Sequence, residues 1–125
     1  MAKYALVVMS EQGEEHPGGQ GRMLHAMSAA KAFKDAGEDV TIWFHGIGVG
    51  WLTAFSESND RFTQHYGTLL ADVSNLIGGA CDFCTTRRFD ATKGAEQLGV
   101  PIVGGDGEHH TVAELAAAGY SIISF

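Results

Sequence analysis

Proline and cysteine are nearly absent, at 2 residues each among 125. So little proline leaves no room for a Pro-rich linker or tail. A pair of cysteines cannot build the disulfide framework that holds small secreted domains together. Basic residues are also scarce, 8 Lys and Arg against 15 Asp and Glu, for a formal charge of −7. A surface of that sign repels phosphate backbones and anionic lipid, so neither direct nucleic-acid binding nor membrane binding is expected. No apolar run approaches the roughly 20 residues that cross a bilayer. The opening Met1-Ala2-Lys3-Tyr4 leads into a strand-like segment rather than a leader with a cleavage site. The expectation is a cytoplasmic protein.

What is present is an ordinary globular composition, 45% hydrophobic and 18% charged. A chain of this length is expected to form one compact domain over residues 1–125, able to bury a core without staples. Glycine, at 17 residues, is about twice as frequent as usual. Spread among strong apolar segments, it marks turns and close backbone approaches rather than disorder.

Hydrophobic patterning divides the chain into alternating elements. Tyr4 to Met9 is a continuous apolar run, as in a strand buried on both faces. A polar loop is expected from Ser10 to Gly21, ending in His16-Pro17-Gly18-Gly19-Gln20-Gly21, and then a helix from Arg22 to Ala36 closed by Gly37. Val40 to Phe44 is β-branched and aromatic, a second strand. His45 follows, with the flexible Gly46-Ile47-Gly48-Val49-Gly50 at the carboxyl end of that strand, where open α/β sheets place their ligand crevices. His45, Gly46 and Gly48 are therefore candidate ligand-binding positions.

Phe62, Tyr66, Leu69, Leu70, Val73, Leu76 and Ile77 form one apolar stripe that predicts a single helix. Gly78-Gly79-Ala80-Cys81 is expected as a turn or very short strand, followed by a helical turn to Arg88. Asp90 is expected to cap a helix through Leu98 that ends at Gly99, before a strand over Val100 to Val103. Thr111-Val112-Ala113-Glu114 has the form of a capping box, and Tyr120 to Phe125 closes the chain as a strand. Strands alternating with helices predict an α/β/α sandwich on a mostly parallel sheet of about five strands.

The residues best suited to chemistry are Cys81 and Cys84, with Arg87 and Arg88 just beyond. Where a loop enters a helix, free N–H groups, the positive dipole end and a nearby arginine all favour thiolate, the reactive form. Such a sulfur can attack a persulfide, hold the transferred atom and pass it on, with Cys84 as the resolving partner. Three other readings stay open. A redox pair of the thioredoxin kind needs a facing cis-proline, for which only Pro101 lies downstream. A zinc site needs more ligands, and His109-His110 is the nearest source. A non-catalytic ligand- or protein-binding module would use both cysteines merely as small buried residues. No cofactor and no resident metal are called for. Trp51 and Phe55 are candidate exposed contacts for a protein partner.

Tyr4 to Met9, the helix ending at Gly37, Val40 to Gly46, Gly79 to Arg88 and Ala113 to Phe125 together resemble the DsrE/DsrF-like family of small sulfur-relay proteins, which includes the TusD and YchN types. The most specific part of the resemblance is Cys81 followed by Arg87-Arg88. The resemblance implies a three-layer α/β/α fold, a sulfur-accepting role for Cys81 and sulfur donor and acceptor proteins as partners. It also implies a ring-like oligomer, a homotrimer or homohexamer, with the cysteines near subunit contacts.

Overall fold

The computed structural model describes residues 1–105 and 111–125. Its centre is a sheet of five parallel strands: β1 (Lys3–Val8), β2 (Asp39–Phe44), β3 (Ile77–Cys81), β4 (Ile102–Val103) and β5 (Ser121–Ser124). Their order across the sheet is β4-β3-β2-β1-β5. The chain therefore steps outward from β1 to β4 and then returns to the far side of β1 for its last strand. Helices flank the sheet to make the α/β/α sandwich: α1 (Pro17–Asp35), α2 (Gly50–Glu57), α3 (Arg61–His65), α4 (Gly67–Val73), α5 (Thr92–Leu98) and α6 (Thr111–Ala117). No helix among the described residues is long and apolar enough to cross a membrane.

The apolar run in β1 places Ala5, Leu6, Val7 and Val8 at 0–1% exposure, as a strand with neighbours on both sides and layers on both faces requires. β2 alternates, burying Val40, Ile42 and Phe44 while Thr41 and Trp43 are only half-buried. The core is continuous from these strands into Met23, Met27 and Ala30 of α1, Leu52 and Phe55 of α2, and Val73 of α4. Residues whose strands pair are Val8 with Phe44, Phe44 with Ala80, and Cys81 with Val103. Since all strands run one way, the segments that leave them emerge along a single edge.

Several elements differ from expectation. The first helix begins at Pro17, so the run Gly18 to Gly21 lies within it and is not loop. Proline suits a first helical position, where its missing N–H is no loss. A Cβ at Gly19 would run into the Glu11 carbonyl, so the glycine there serves the close approach of the preceding loop. The expected single helix from Phe62 to Ile77 is broken at Tyr66, which ends α3 and caps α4. Ile77 belongs to β3. Gly78 and Gly79 form the body of that strand because the Trp43 indole lies over them, and a Cβ at either would come within 2.7 Å of a ring carbon. Trp51 lies in α2. Asp90 adopts φ 48°, and Ala91, not Asp90, caps α5. Asp and Asn tolerate that left-handed conformation better than most residues. Thr111 is the first residue of α6; the residue before it lies outside the described part of the chain, as does the pair His109-His110.

Candidate functional site

Cys81 is the last residue of β3, and the chain after it winds through Asp82 and Phe83 into a wide helical turn, Cys84–Arg88. That turn has the π pattern, the Phe89 N–H reaching back to the Cys84 carbonyl at 3.0 Å. Thr86 Oγ1 fastens its start by donating to the Asp82 carbonyl at 2.8 Å and bonding the Asp82 carboxylate at 3.2 Å. Single π turns within helices recur at functional sites, where they re-aim side chains.

Both cysteines are free thiols and both are buried, Cys81 at 2% exposure and Cys84 at 5%. Burial pushes the Cys81 thiol from 9.0 up to about 11. The main-chain N–H groups of Cys84 and Phe83 bond the sulfur and act in the opposite direction, while the Cys84 side chain reinforces the rise by its hydrogen bond and its charge. The arrangement of donors at a turn start is thus the expected one, but the resting sulfur is a thiol and not a thiolate. Desolvation outweighs two N–H donors because it penalises the charged form throughout the site. Arg87 and Arg88 are exposed, and the Arg88 guanidinium lies 5.5 Å from the centre of the Phe89 ring.

His45 is buried at the carboxyl end of β2. Its N–H donates to the Val8 carbonyl and its carbonyl accepts from Gly48, both at 3.0 Å. His45 directly follows Phe44, whose strand partner Ala80 directly precedes Cys81. The turn Gly46–Val49 packs against both β3 and the Cys84–Arg88 turn. Gly46 is held at φ 55°, and a Cβ at Gly48 would run into the Val8 carbonyl. Those two glycines therefore have backbone reasons to be glycine. The structure brings His45, Gly46 and Gly48 to the same sheet edge as Cys81 and Cys84.

Trp51 and Phe55 do not form an exposed contact. They are 1% and 5% exposed, and the Trp51 indole donates to the Ser10 carbonyl at 3.0 Å while its ring packs on Phe55 and Phe62. Among the described residues no group of His, Cys, Asp and Glu could hold a metal ion.

One feature of the same edge escaped sequence reading. A cavity of about 400 Å³ lies between the segment after β1, the start of α2 and the residues after the cysteine turn, with Gln12, Glu57, Asp60, Phe89 and Asp90 among its lining. These positions are far apart in sequence and share no motif, so no spacing pattern signals them.

No family profile matches the chain, and no curated protein sequence does. Among solved structures, it is similar to a conserved protein of unknown function from Bacteroides thetaiotaomicron, at TM-score 0.56 and 14% sequence identity, over 97% of this chain and 94% of that one. The likeness is one of fold. It extends along nearly the whole of both chains.

Proposed function

We propose that the chain is a small sulfur carrier, in which Cys81 accepts a sulfane sulfur as a persulfide and passes it to an acceptor protein. The observation that supports this reading is the pairing of two free thiols at one strand end, Cys81 bonded to Cys84 and to the N–H groups of the turn that follows. The Cys81 thiolate attacks the terminal sulfur of a donor persulfide, R–S–SH. The donor leaves as a thiol, and Cys81 carries the sulfur as –S–SH. Cys84 then attacks the inner sulfur, releasing the outer one as hydrosulfide and closing a Cys81–Cys84 disulfide. Direct transfer to an acceptor thiolate instead returns Cys81 to the reduced form. A thiol this deeply buried reacts when a docking partner opens the turn, which keeps the sulfur from small oxidants between transfers. A cytoplasmic setting and a homotrimeric or homohexameric assembly belong to the same reading.

The test is intact-mass spectrometry of wild type, Cys81→Ser and Cys84→Ser, before and after a persulfide donor. One added sulfur mass, removed by reductant and absent only from Cys81→Ser, is the expected result. Normal loading of Cys81→Ser would sink the proposal.

The same burial favours a second reading, a binding module of this fold whose cysteines only pack. Under it, both thiols stay inert to a thiol reagent until the protein is denatured, with or without donor.

A further inference from the structure

We infer that Cys81 and Cys84 form a reversible dithiol–disulfide couple, and that a dithiol reductant has to reset it before the chain accepts sulfur again. The source of the disulfide rests on the sulfur-carrier reading, whose hydrosulfide release leaves the two cysteines joined. The couple itself rests on the geometry of the turn. The chain has 2 cysteines, both free and both buried. Each is therefore the only thiol of its own chain that the other can meet, and their side chains are already hydrogen-bonded. Asp82 and Phe83 between them are helical, which brings residues three apart onto one face. The pair is held from both ends. Cys81 lies in β3 opposite Val103, and its sulfur accepts from the main-chain N–H groups of Cys84 and Phe83. Thr86 Oγ1, bonded to the Asp82 carbonyl at 2.8 Å, fastens the stretch that carries Cys84. The π turn that starts at Cys84 holds one residue more than an α turn, slack that lets its sulfur close on Cys81.

Oxidation by a disulfide R–S–S–R takes two exchanges. The Cys81 thiolate attacks one sulfur, and R–S⁻ leaves and takes up a proton, so that Cys81 carries a mixed disulfide. The Cys84 thiolate then attacks the Cys81 sulfur and expels the second R–S⁻, which is protonated in turn. The pair has lost two electrons and two protons, and two R–SH have formed. Reset begins when one thiolate of a dithiol attacks the protein disulfide, giving a mixed disulfide and one freed cysteine. The second thiol of the reductant closes a disulfide within the reductant and frees the other cysteine. A monothiol loses this competition, because the neighbouring cysteine stands beside the mixed disulfide and expels it first. While the two sulfurs are joined, neither can take up a sulfane sulfur. The class of reaction that consumes the oxidised chain is therefore dithiol–disulfide exchange with a partner protein.

The experiment equilibrates the full chain, as wild type, Cys81→Ser and Cys84→Ser, in glutathione and in dithiothreitol redox buffers with no sulfur donor present. Incubation is long enough for rare openings of the turn to reach equilibrium, and intact mass after acid quench is the readout. Wild type is expected to lose two hydrogens and retain no glutathione, whereas each serine variant retains one glutathione. Reduced dithiothreitol is expected to restore the dithiol at a thiol concentration at which reduced glutathione does not. The oxidised chain is also expected to lose the fall in stability between about pH 9 and about pH 11, since a disulfide cannot ionise. Wild type that retains glutathione, that stays reduced in every buffer, or that glutathione resets as readily as dithiothreitol would overturn the inference. These wild-type measurements stand whether or not the serine variants fold. Sulfur loading is then followed separately on the reduced and the oxidised chain. Equal loading of both, or loading of a chain in which no disulfide forms, counts against the couple alone. A disulfide that forms and resets in a chain that never loads sulfur removes the carrier reading and leaves the couple standing.

Discussion

Cys84 acts on Cys81 in two opposed ways: its main-chain N–H bonds the Cys81 sulfur and favours thiolate, whereas its side chain disfavours it. The backbone of a Cys-x-x-Cys turn and its second thiol therefore make separate contributions, which substitution at residue 84 can divide. Cys84→Ala leaves the N–H in place and removes the opposing side chain. The apparent pKa of Cys81 is expected to fall from about 11. The rate of Cys81 alkylation by iodoacetamide, followed by intact mass across a pH series, checks this. An unshifted or raised midpoint in Cys84→Ala would contradict it.

The raised thiol also makes stability depend on pH. In the folded chain Cys81 keeps its proton up to about 11, whereas an unfolded cysteine releases it near 9.0. Unfolding within that window therefore releases a proton, and rising pH favours the unfolded state. Chemical denaturation of reduced protein should show stability falling between about pH 9 and about pH 11, with a shallower fall in Cys81→Ala. Tyr120 contributes in the same direction at the upper end, since burial and its Asp39 neighbour raise its pKa as well. The difference between wild type and Cys81→Ala isolates the cysteine.

Two helical glycines should respond in opposite ways to alanine. A Cβ at Gly94 of α5 would lie 2.7 Å from the Thr53 nitrogen and 2.8 Å from the Leu52 carbonyl, main-chain atoms of α2 that no rotamer change can move. Gly94→Ala is expected to destabilise by about 1–3 kcal/mol through overpacking. At Gly21, inside α1, an added Cβ meets nothing within 4 Å, so alanine should stabilise by about 0.5–1 kcal/mol. Urea midpoints of the two variants decide the matter.

Trp43 and Gly79 should be coupled. Gly79→Ala is expected to destabilise by about 1–3 kcal/mol through contact with the indole. In Trp43→Leu the same substitution should cost less. A double-mutant cycle that returns no coupling would mean that the ring does not dictate glycine in β3.

The alternation of strands and helices was legible because its signals are local. Tyr4 to Met9 and Val40 to Phe44 carry enough β-branched and apolar residues to declare themselves, and Gly37, Gly99 and Gly119 adopt the positive φ that ends a helix. Cys81 and Cys84 were legible as candidates from their spacing and the arginines that follow, and His45 because it follows a strand; a parallel sheet collects such positions on one edge. The break at Tyr66 was hidden by an unbroken apolar stripe, since side chains on either side of a kink can face the same core. The strand character of Ile77 to Cys81 was hidden by glycines that read as a turn.

From the sequence alone came the acidic balance, the α/β alternation and the close spacing of Cys81, Cys84, Arg87 and Arg88, all properties of neighbouring residues. Tertiary structure alone decided the rest. It set the strand order, buried Trp51, put the Trp43 ring on Gly78 and Gly79, and held Cys81 as a thiol. It also gathered Gln12, Glu57, Asp60 and Asp90 around one cavity. Burial and long-range contact depend on which surfaces meet when the sheet closes against its helices, and local spacing along a chain does not encode those meetings.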